Sequence, residues 1–262
     1  MARVVAQNGL ALGFVERGTG ASVPFVFLHG VGSDKTAWHP QLAYFRENRR
    51  AIAFDYPGYG ESDPAPPETT RDDYASAIIY ALDELGVDRA HVCGLSLGGI
   101  VAIAIHHMAR ERCASLILAD TFAVHPEGDA IYERSLAGSA DLRAMAEARV
   151  DLLIAAPAQP GVRREVVETM ARIDPEAYRV GAKAVWLADQ RDRVGEIEVP
   201  TLILVGDQDL VTPPELSNEL LDLVPHARMQ VISNAGHLGN LERPAEFNRI
   251  VEEFIQAVEE AR

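Results

Sequence analysis

A glycine-rich segment around residue 96 has the composition of a turn that presents a nucleophile. Residues 93–99 read CGLSLGG and contain the pattern G-x-S-x-G between an apolar strand-like run and an apolar helical run. In that context the chain reverses sharply and places the hydroxyl of Ser96 above a sheet, while the glycines avoid collisions with the neighbouring helix and strand. The helix that follows directs its first N–H groups toward the negative charge that develops during acyl transfer. The pattern predicts a catalytic serine.

A serine hydroxyl needs a general base at neutral pH, and the position of His237 suits that role. His237 ends the segment NAGH, after the last predicted strand and before the last predicted helix. A loop histidine there reaches the same edge of a sheet as the serine. The remaining histidines are weaker candidates because they lie in helical patterns, beside prolines, at the start of a strand or in a turn: His29, His39, His91, His106, His107, His125 and His226.

The carboxylate that orients the base is expected between the serine and the histidine in the chain. Asp209 lies in the segment GDQD, directly after the predicted strand PTLILV, so it is placed at the same edge. Its role would be to hold the imidazole tautomer and to stabilise the imidazolium. Asp207 and Asp120 remain alternatives, although carboxylates at such positions also serve to structure loops.

Two backbone N–H groups are candidates for an oxyanion hole. Leu97 follows the serine directly, and Val31 lies in the segment HGVG after the first long buried strand. We expect His29 to shape this turn rather than to act in catalysis. No group of His, Cys, Asp and Glu has the sequence spacing typical of metal ligands, so we predict a mechanism without metal or cofactor.

Alternating apolar runs and helical patterns predict the fold that positions these groups. Eight runs have strand character: VVAQ, LGFVER, PFVFLHG, RAIAFD, AHVCGL, ASLILAD, PTLILVGD and RMQVIS. The first two are typical of an antiparallel pair joined at Asn8-Gly9, and most of the others alternate with helices. We therefore predict an α/β fold with a mostly parallel eight-stranded sheet flanked by helices, in a single domain over residues 1–262. Residues 121–195 show only helical patterns, which predict a helical cap inserted above the carboxyl edge of the sheet.

The composition narrows the range of partners. The chain has 24 Lys and Arg against 39 Asp and Glu, a formal net charge of −15. Such a protein is repelled by phosphate backbones and anionic lipid, so we expect a small-molecule substrate and neither nucleic acid nor membrane as partner. Two cysteines, Cys93 and Cys113, do not make a disulfide framework, and the first residues lack a signal-peptide pattern. The predicted location is the cytoplasm, and a homo-oligomer is compatible with these features without being predicted by them.

Together these residues resemble the α/β-hydrolase superfamily along essentially the whole chain. The segments HGVGSDKTAW, FDYPGYGESD, CGLSLGG, VPTLILVGDQDLVTPP and NAGHLGNLERPAEF occur in the expected order. CGLSLGG and much of residues 173–248 are more similar still to the 3-oxoadipate enol-lactonases, which hydrolyse an enol-lactone ring without metal or cofactor. The resemblance implies a serine esterase or lactonase with Ser96 as nucleophile, Asp209 as acid and His237 as base.

The first half of the predicted cap, residues 120–145, departs from the lactonase pattern and leaves the substrate open. We expect a small carboxylic ester or lactone; the alternatives are C–C bond hydrolysis of a ring-fission diketone, and a ligand receptor that retains the triad. Trp38 and Trp186 are candidates for the substrate pocket, with core packing as the alternative for both. A substrate with a free carboxylate would need an arginine, for which the cap offers Arg134, Arg143 and Arg149.

Overall fold

The computed structural model describes residues 2–5 and 9–261. In these ranges the strands are β1 (Ala2–Val5), β2 (Ala11–Leu28), β3 (Arg49–Phe54), β4 (Ala90–Leu95), β5 (Cys113–Ala119), β6 (Thr201–Gly206) and β7 (Arg228–Ile232). The helices are α1 (His39–Phe45), α2 (Arg71–Glu84), α3 (Leu97–Met108), α4 (Gly128–Gly138), α5 (Leu142–Leu153), α6 (Pro160–Met170), α7 (Pro175–Trp186), α8 (Arg191–Val194), α9 (Pro214–Leu223), α10 (Gly239–Glu242) and α11 (Pro244–Glu260).

One mostly parallel sheet connects all seven strands of the described residues. Its order is β1-β2-β4-β5-β6-β7, with β3 paired to β2, and β1 runs antiparallel to β2 as predicted. Phe14 and Leu28, at the two ends of β2, both pair with Phe54, so β3 lies between the two halves of that strand. The predicted strand runs LGFVER and PFVFL are thus parts of one continuous β2, and the eight predicted runs form seven strands. The predicted turn residue Asn8 lies outside the described residues.

Gly18 allows β2 to bend around the start of β3. Its φ is +78°, a conformation that side chains other than glycine rarely adopt. A Cβ atom at this position would lie 2.2 Å from the backbone oxygen of Arg49, the first residue of β3. The bend therefore requires glycine for both backbone conformation and space.

Helices cover both faces of the sheet. The strands β4, β5 and β6 are buried along their whole length, which explains their continuous apolar sequences. One apolar cluster joins the sheet to α2 and α3, and a second joins the opposite face to α1 and α11. The N-terminus of α2 is fixed by a capping box in which Thr70 and Asp73 bond each other's backbone N–H.

Between β5 and β6 the described chain forms five helices, α4 to α8. The sequence predicted helical structure for this stretch, and the one β contact that it makes is an isolated bridge between Val124 and Asp189. α7 packs against α2 and α3, so the inserted helices are anchored on the same face as the helix that follows β4. None of the helices in the described ranges combines the length and apolar character needed to cross a lipid bilayer.

Candidate active site

The turn between β4 and α3 holds Ser96 in a strained conformation. Ser96 has φ 56° and ψ −115°, and Leu97 begins α3 directly after it. A Cβ atom at Gly94 would lie 2.1 Å from the backbone oxygen of Gly98, and one at Gly98 would lie 2.0 Å from that of Leu28. The predicted strand-turn-helix context is therefore present, and its glycines are required by close packing. Positive φ in a non-glycine residue persists only where the surrounding structure enforces it, as it commonly does at functional sites.

His237 and Asp209 meet at the carboxyl edge of the sheet. Nδ1 of His237 lies 2.8 Å from Oδ2 of Asp209, and both side chains are buried. Asp209 Oδ1 also accepts hydrogen bonds from the N–H groups of Val211 and Thr212, at 2.7 and 2.9 Å, and the Thr212 hydroxyl donates to Oδ2 at 2.7 Å. Burial alone would raise the pKa of Asp209, but the neighbouring His237 and these hydrogen bonds outweigh it and lower the pKa to about 2. The carboxylate is charged at neutral pH and holds the imidazole through Nδ1.

The other two candidate acids have different surroundings. Asp207 is exposed, and its carboxylate accepts a hydrogen bond from the Ala235 N–H at 3.3 Å, which ties two loops together. Asp120 is fully buried, and burial, together with the nearby charge of Asp209, raises its pKa well above the usual range. A carboxyl group with a raised pKa is a weaker source of negative charge for an imidazolium. Of the three, Asp209 has the position and the charge of an orienting acid.

Tyrosine side chains support the turn that carries Val31. The hydroxyl of Tyr59 donates to the backbone oxygen of Val31, and that of Tyr56 donates to the backbone oxygen of His29, each at 3.2 Å. The ring of His29 packs on Tyr56 with centroids 4.4 Å apart, and its Nδ1 lies 2.8 Å from the Gly30 oxygen. His29 is thus part of the packing of the turn, in agreement with the structural role expected from the sequence.

A largely apolar cavity opens onto Ser96 and His237. Val31, Trp38 and Trp186 also line it. The inserted helices supply much of the wall: Arg149, Leu153, Glu165, Val166, Thr169, Met170, Tyr178 and Trp186. Leu97 does not line the cavity with its side chain but lies buried at the first position of α3, where a helix has N–H groups without partners in the helix.

The two tryptophans differ in the residues that pack against their rings. Trp38 is fully buried and packs on Phe27 and Phe247, with ring centroids 4.9 and 6.0 Å apart, so it belongs to the core as well as to the cavity wall. Trp186 ends α7 and stacks on Phe122 with centroids 6.0 Å apart. Its buried Nε1 has no hydrogen-bond partner among the described residues. Both predicted positions reach the cavity.

Of the three candidate arginines, the structure places one at this cavity. Arg149 lines it and donates to the hydroxyl of Tyr178 at 3.4 Å. Arg143 is exposed and forms a two-point ion pair with Glu168 at 2.9 Å, and Arg134 lines a neighbouring surface cleft, to which Arg149 also contributes. Arg149 is the arginine available to a bound molecule.

A buried glutamate that the sequence does not indicate connects the loop that carries His237 to the inserted helices. Glu242 Oε1 accepts a hydrogen bond from the Gly236 N–H at 2.8 Å, and Oε2 accepts one from the Ala155 N–H at 2.6 Å. Beside it, the N–H of His237 donates to the Leu153 oxygen at 2.9 Å. These bonds fix the backbone of His237 against the end of α5.

The donor atoms of Asp120, Asp209 and His237 lie within 4.8 Å of one another, so a metal site has to be considered. Nδ1 of His237 and Oδ2 of Asp209 are hydrogen-bonded to each other at 2.8 Å, and burial and the charge of Asp209 raise the pKa of Asp120. A divalent cation would need two ionised carboxylates and the free Nδ1 lone pair. The hydrogen bond between Asp209 and His237 occupies atoms that would face such a cation, so the geometry favours a hydrogen-bonded pair at this position.

Comparison with known proteins identifies the class of the chain. Residues 25–250 match the alpha/beta hydrolase family, and the chain belongs to that family. 3-Oxoadipate enol-lactonase 1 of Acinetobacter baylyi is 26% identical over 260 residues, which cover 98% of this chain and 97% of that protein. A 2-hydroxy-6-oxononadienedioate/2-hydroxy-6-oxononatrienedioate hydrolase of Cupriavidus pinatubonensis is 28% identical over 274 residues, covering 92% and 89%. The crystal structure of the enol-lactonase from Burkholderia xenovorans has a TM-score of 0.90 at 27% identity, covering 97% of this chain and 100% of that one. The predicted α/β-hydrolase fold and the resemblance to the enol-lactonases are confirmed.

The low pKa of Asp209 predicts a stability loss in acid. Its pKa is about 2 in the fold against an ordinary value of 3.8, so the ionised form stabilises the fold above about pH 4. This contribution, about 2 kcal/mol, is lost as the pH falls from about 4 to 2. We expect the free energy of unfolding, measured with urea, to fall less over this range in Asp209→Asn than in the unsubstituted protein. Asp207→Asn, which removes an exposed carboxylate from the same loop, is the control. Its free energy of unfolding should depend on pH as in the unsubstituted protein. The same pH dependence in all three proteins would contradict the assignment.

Proposed function

We propose that this alpha/beta hydrolase is a serine hydrolase that cleaves a small carboxylic ester or lactone through an acyl-enzyme. The observation that carries the proposal is the arrangement at one cavity: a strained Ser96 at the start of α3, and a His237 whose Nδ1 is occupied by an ionised Asp209. This leaves Nε2 of His237 as the ring nitrogen that can take the Ser96 proton. The hydroxyl then attacks the carbonyl, the imidazolium returns its proton to the leaving oxygen, and water repeats the sequence to release the acid.

The tetrahedral intermediate needs donors for its oxyanion, and we assign the N–H groups of Val31 and Leu97 to this task. Val31 lies at the cavity on a turn held by Tyr59, and Leu97 is the first residue of α3. A helix N-terminus also carries a partial positive charge, which favours an anion at this point. Each such donor contributes on the order of 3 kcal/mol to lowering the barrier. None of these steps uses a metal or a cofactor.

We propose that residues 121–195 are a cap within a single domain and that the cap selects the substrate. Its helices supply much of the cavity wall, including Arg149, the one arginine among the described residues that line the cavity. Arg149 contacts the Met145 sulfur and the Tyr178 hydroxyl and forms no ion pair with a described carboxylate, so it is available to a carboxylate on the substrate. The similarity to the enol-lactonases of Acinetobacter baylyi and Burkholderia xenovorans supports a lactone as the first class to test.

A second candidate function is C–C bond hydrolysis of a ring-fission diketone. It is supported by the similarity to the oxononadienedioate hydrolase of Cupriavidus pinatubonensis, whose identity to this chain is as high as that of the lactonase relative. Turnover of purified protein on a panel of simple esters, lactones and a diketone separates the two. Tight binding of these compounds without turnover would instead favour a ligand receptor.

We expect Ser96→Ala to reduce hydrolysis of the best substrate in that panel by about 10⁴-fold or more, because the nucleophile is lost. Ser22→Ala is the control, since Ser22 is an exposed serine of β2 that does not line the cavity. The turnover of this variant should stay within about threefold of that of the unsubstituted protein, which corresponds to less than about 1 kcal/mol in the activation free energy. Thermal melts of both variants exclude unfolding as the cause. Near-normal turnover by Ser96→Ala would refute the proposed function.

A second variant tests the role of the inserted helices in specificity. Trp186→Ala should enlarge the cavity and shift the ratio of kcat/KM values from short toward long acyl esters. Because Trp186 is 3% exposed, the change should also cost about 3 to 5 kcal/mol of stability. Phe247→Ala is the control: Phe247 is fully buried and does not line the cavity, so stability should fall by a similar amount with no shift in the ratio. An unchanged ratio in Trp186→Ala would remove this residue from the substrate pocket.

A further inference from the structure

Asp120 lies at the end of β5, behind the acid of the proposed triad, and the proposed mechanism does not use it. Its side chain is fully buried, and its φ of 46° is in the left-handed region, which is strained for a residue other than glycine. Its backbone N–H donates to Leu204 at 2.8 Å, and its Oδ1 accepts a hydrogen bond from the Gly206 N–H at 2.9 Å. Asp120 therefore fixes the end of β6, from which the loop with Asp209 begins.

The second carboxyl oxygen of Asp120 faces an acidic neighbour. Oδ2 is buried, and no described group donates a hydrogen bond to it. Donor atoms of Asp120, Asp209 and His237 nevertheless lie within 4.8 Å of one another. Ionising both carboxylates of such a buried pair costs strong charge repulsion, which favours a state in which one of them retains a proton.

The hydrogen bonds decide which carboxyl keeps that proton. Asp209 is approached by four donors, from the Val211 N–H, the Thr212 N–H, the Thr212 hydroxyl and His237 Nδ1. Asp120 is approached by one, the Gly206 N–H. Because donors stabilise the ionised form, the charge lies on Asp209 and the proton on Asp120. Burial and the charge of Asp209 both raise the pKa of Asp120, in agreement with this placement.

We infer that Asp120 is a neutral carboxylic acid that donates a hydrogen bond from Oδ2 to the Asp209 carboxylate and thereby positions the acid of the proposed triad. This inference rests on the proposed function, in which Asp209 orients His237. The next residue, Thr121, donates from its hydroxyl to the backbone oxygen of Ser96 at 2.9 Å. The segment after β5 thus contacts the turn that carries Ser96 through Thr121, and it contacts Asp209 through Asp120.

The donated hydrogen bond also limits how strongly Asp209 stabilises an imidazolium, because it withdraws negative charge from the carboxylate. Two other ionisable side chains act on this pair. Glu242, at the end of α10, acts on Asp120, and His125, in the segment after β5, is affected by Asp209. Substitution of Asp120 leaves both of them in place, so a change in the titration of His237 reports on Asp120 itself.

The test is an NMR titration of His237 in protein labelled with carbon-13 histidine, with His237→Asn used to assign the signal. Asp120→Asn keeps an acceptor for Gly206, a donor for Asp209 and a neutral side chain, so the midpoint for His237 should stay within about 0.2 pH units. Asp120→Ala removes the donor, so Asp209 becomes a stronger acceptor and the midpoint should rise by about one pH unit. The measurement needs no turnover and therefore stands apart from the ester and lactone panel.

Other outcomes overturn the inference. If Asp120 were ionised, both substitutions would remove a negative charge near the imidazole, and both midpoints would fall. If Asp120 only supported the fold, Asp120→Ala would lower the melting temperature and leave the midpoint of His237 unchanged. Failure of Asp120→Asn to fold would also contradict a neutral acid at this position, because asparagine matches such an acid in shape and in hydrogen bonding.

Discussion

The free-energy cost of burying the charged Asp209 carboxylate constrains the loops at the carboxyl edge of the sheet. An ionised carboxylate inside a protein is tolerated only when donors replace its water, and here they come from the loop after β6 and from His237 after β7. Those loops can converge only because β6 and β7 are parallel neighbours that end side by side. Ser96 follows β4 at the same edge, so the arrangement that surrounds the Asp209 charge with donors also brings His237 and Ser96 to one cavity.

The positions of Ser96, Asp209 and His237 could be predicted because each depends on local pattern and chain order. An apolar run long enough for a buried strand, followed by a glycine-rich turn and an apolar helix, specifies the geometry at Ser96 with little help from distant residues. Parallel strands end at a common edge, so any loop after such a run is a candidate partner. The same apolar runs also predicted the strands of the sheet, but two of the predicted strands are halves of β2. The bend at Gly18 lets this one strand lie on both sides of β3.

Features that depend on contacts between residues far apart in the sequence could not be predicted. Glutamate is rarely buried, and nothing near residue 242 indicates that its carboxylate joins Gly236 to Ala155. The choice of Arg149 over two other arginines depends on which face of α5 meets the cavity. In the sequence, Asp120 was an alternative candidate for the orienting acid. The proton is placed on Asp120 because its carboxyl group accepts one hydrogen bond and lies close to the Asp209 carboxylate, and both facts are visible only in the structure.

Detection of an acyl-enzyme tests the proposed chemistry most directly. The protein is mixed with a p-nitrophenyl ester, quenched in acid within milliseconds, digested and examined by mass spectrometry, while p-nitrophenolate release is followed in parallel. We expect a burst of about one equivalent of p-nitrophenolate and a transient gain of the acyl mass on the peptide that contains Ser96. Sustained turnover with Ser96 unmodified at every time point, or an acyl group carried by a different residue, would contradict the mechanism.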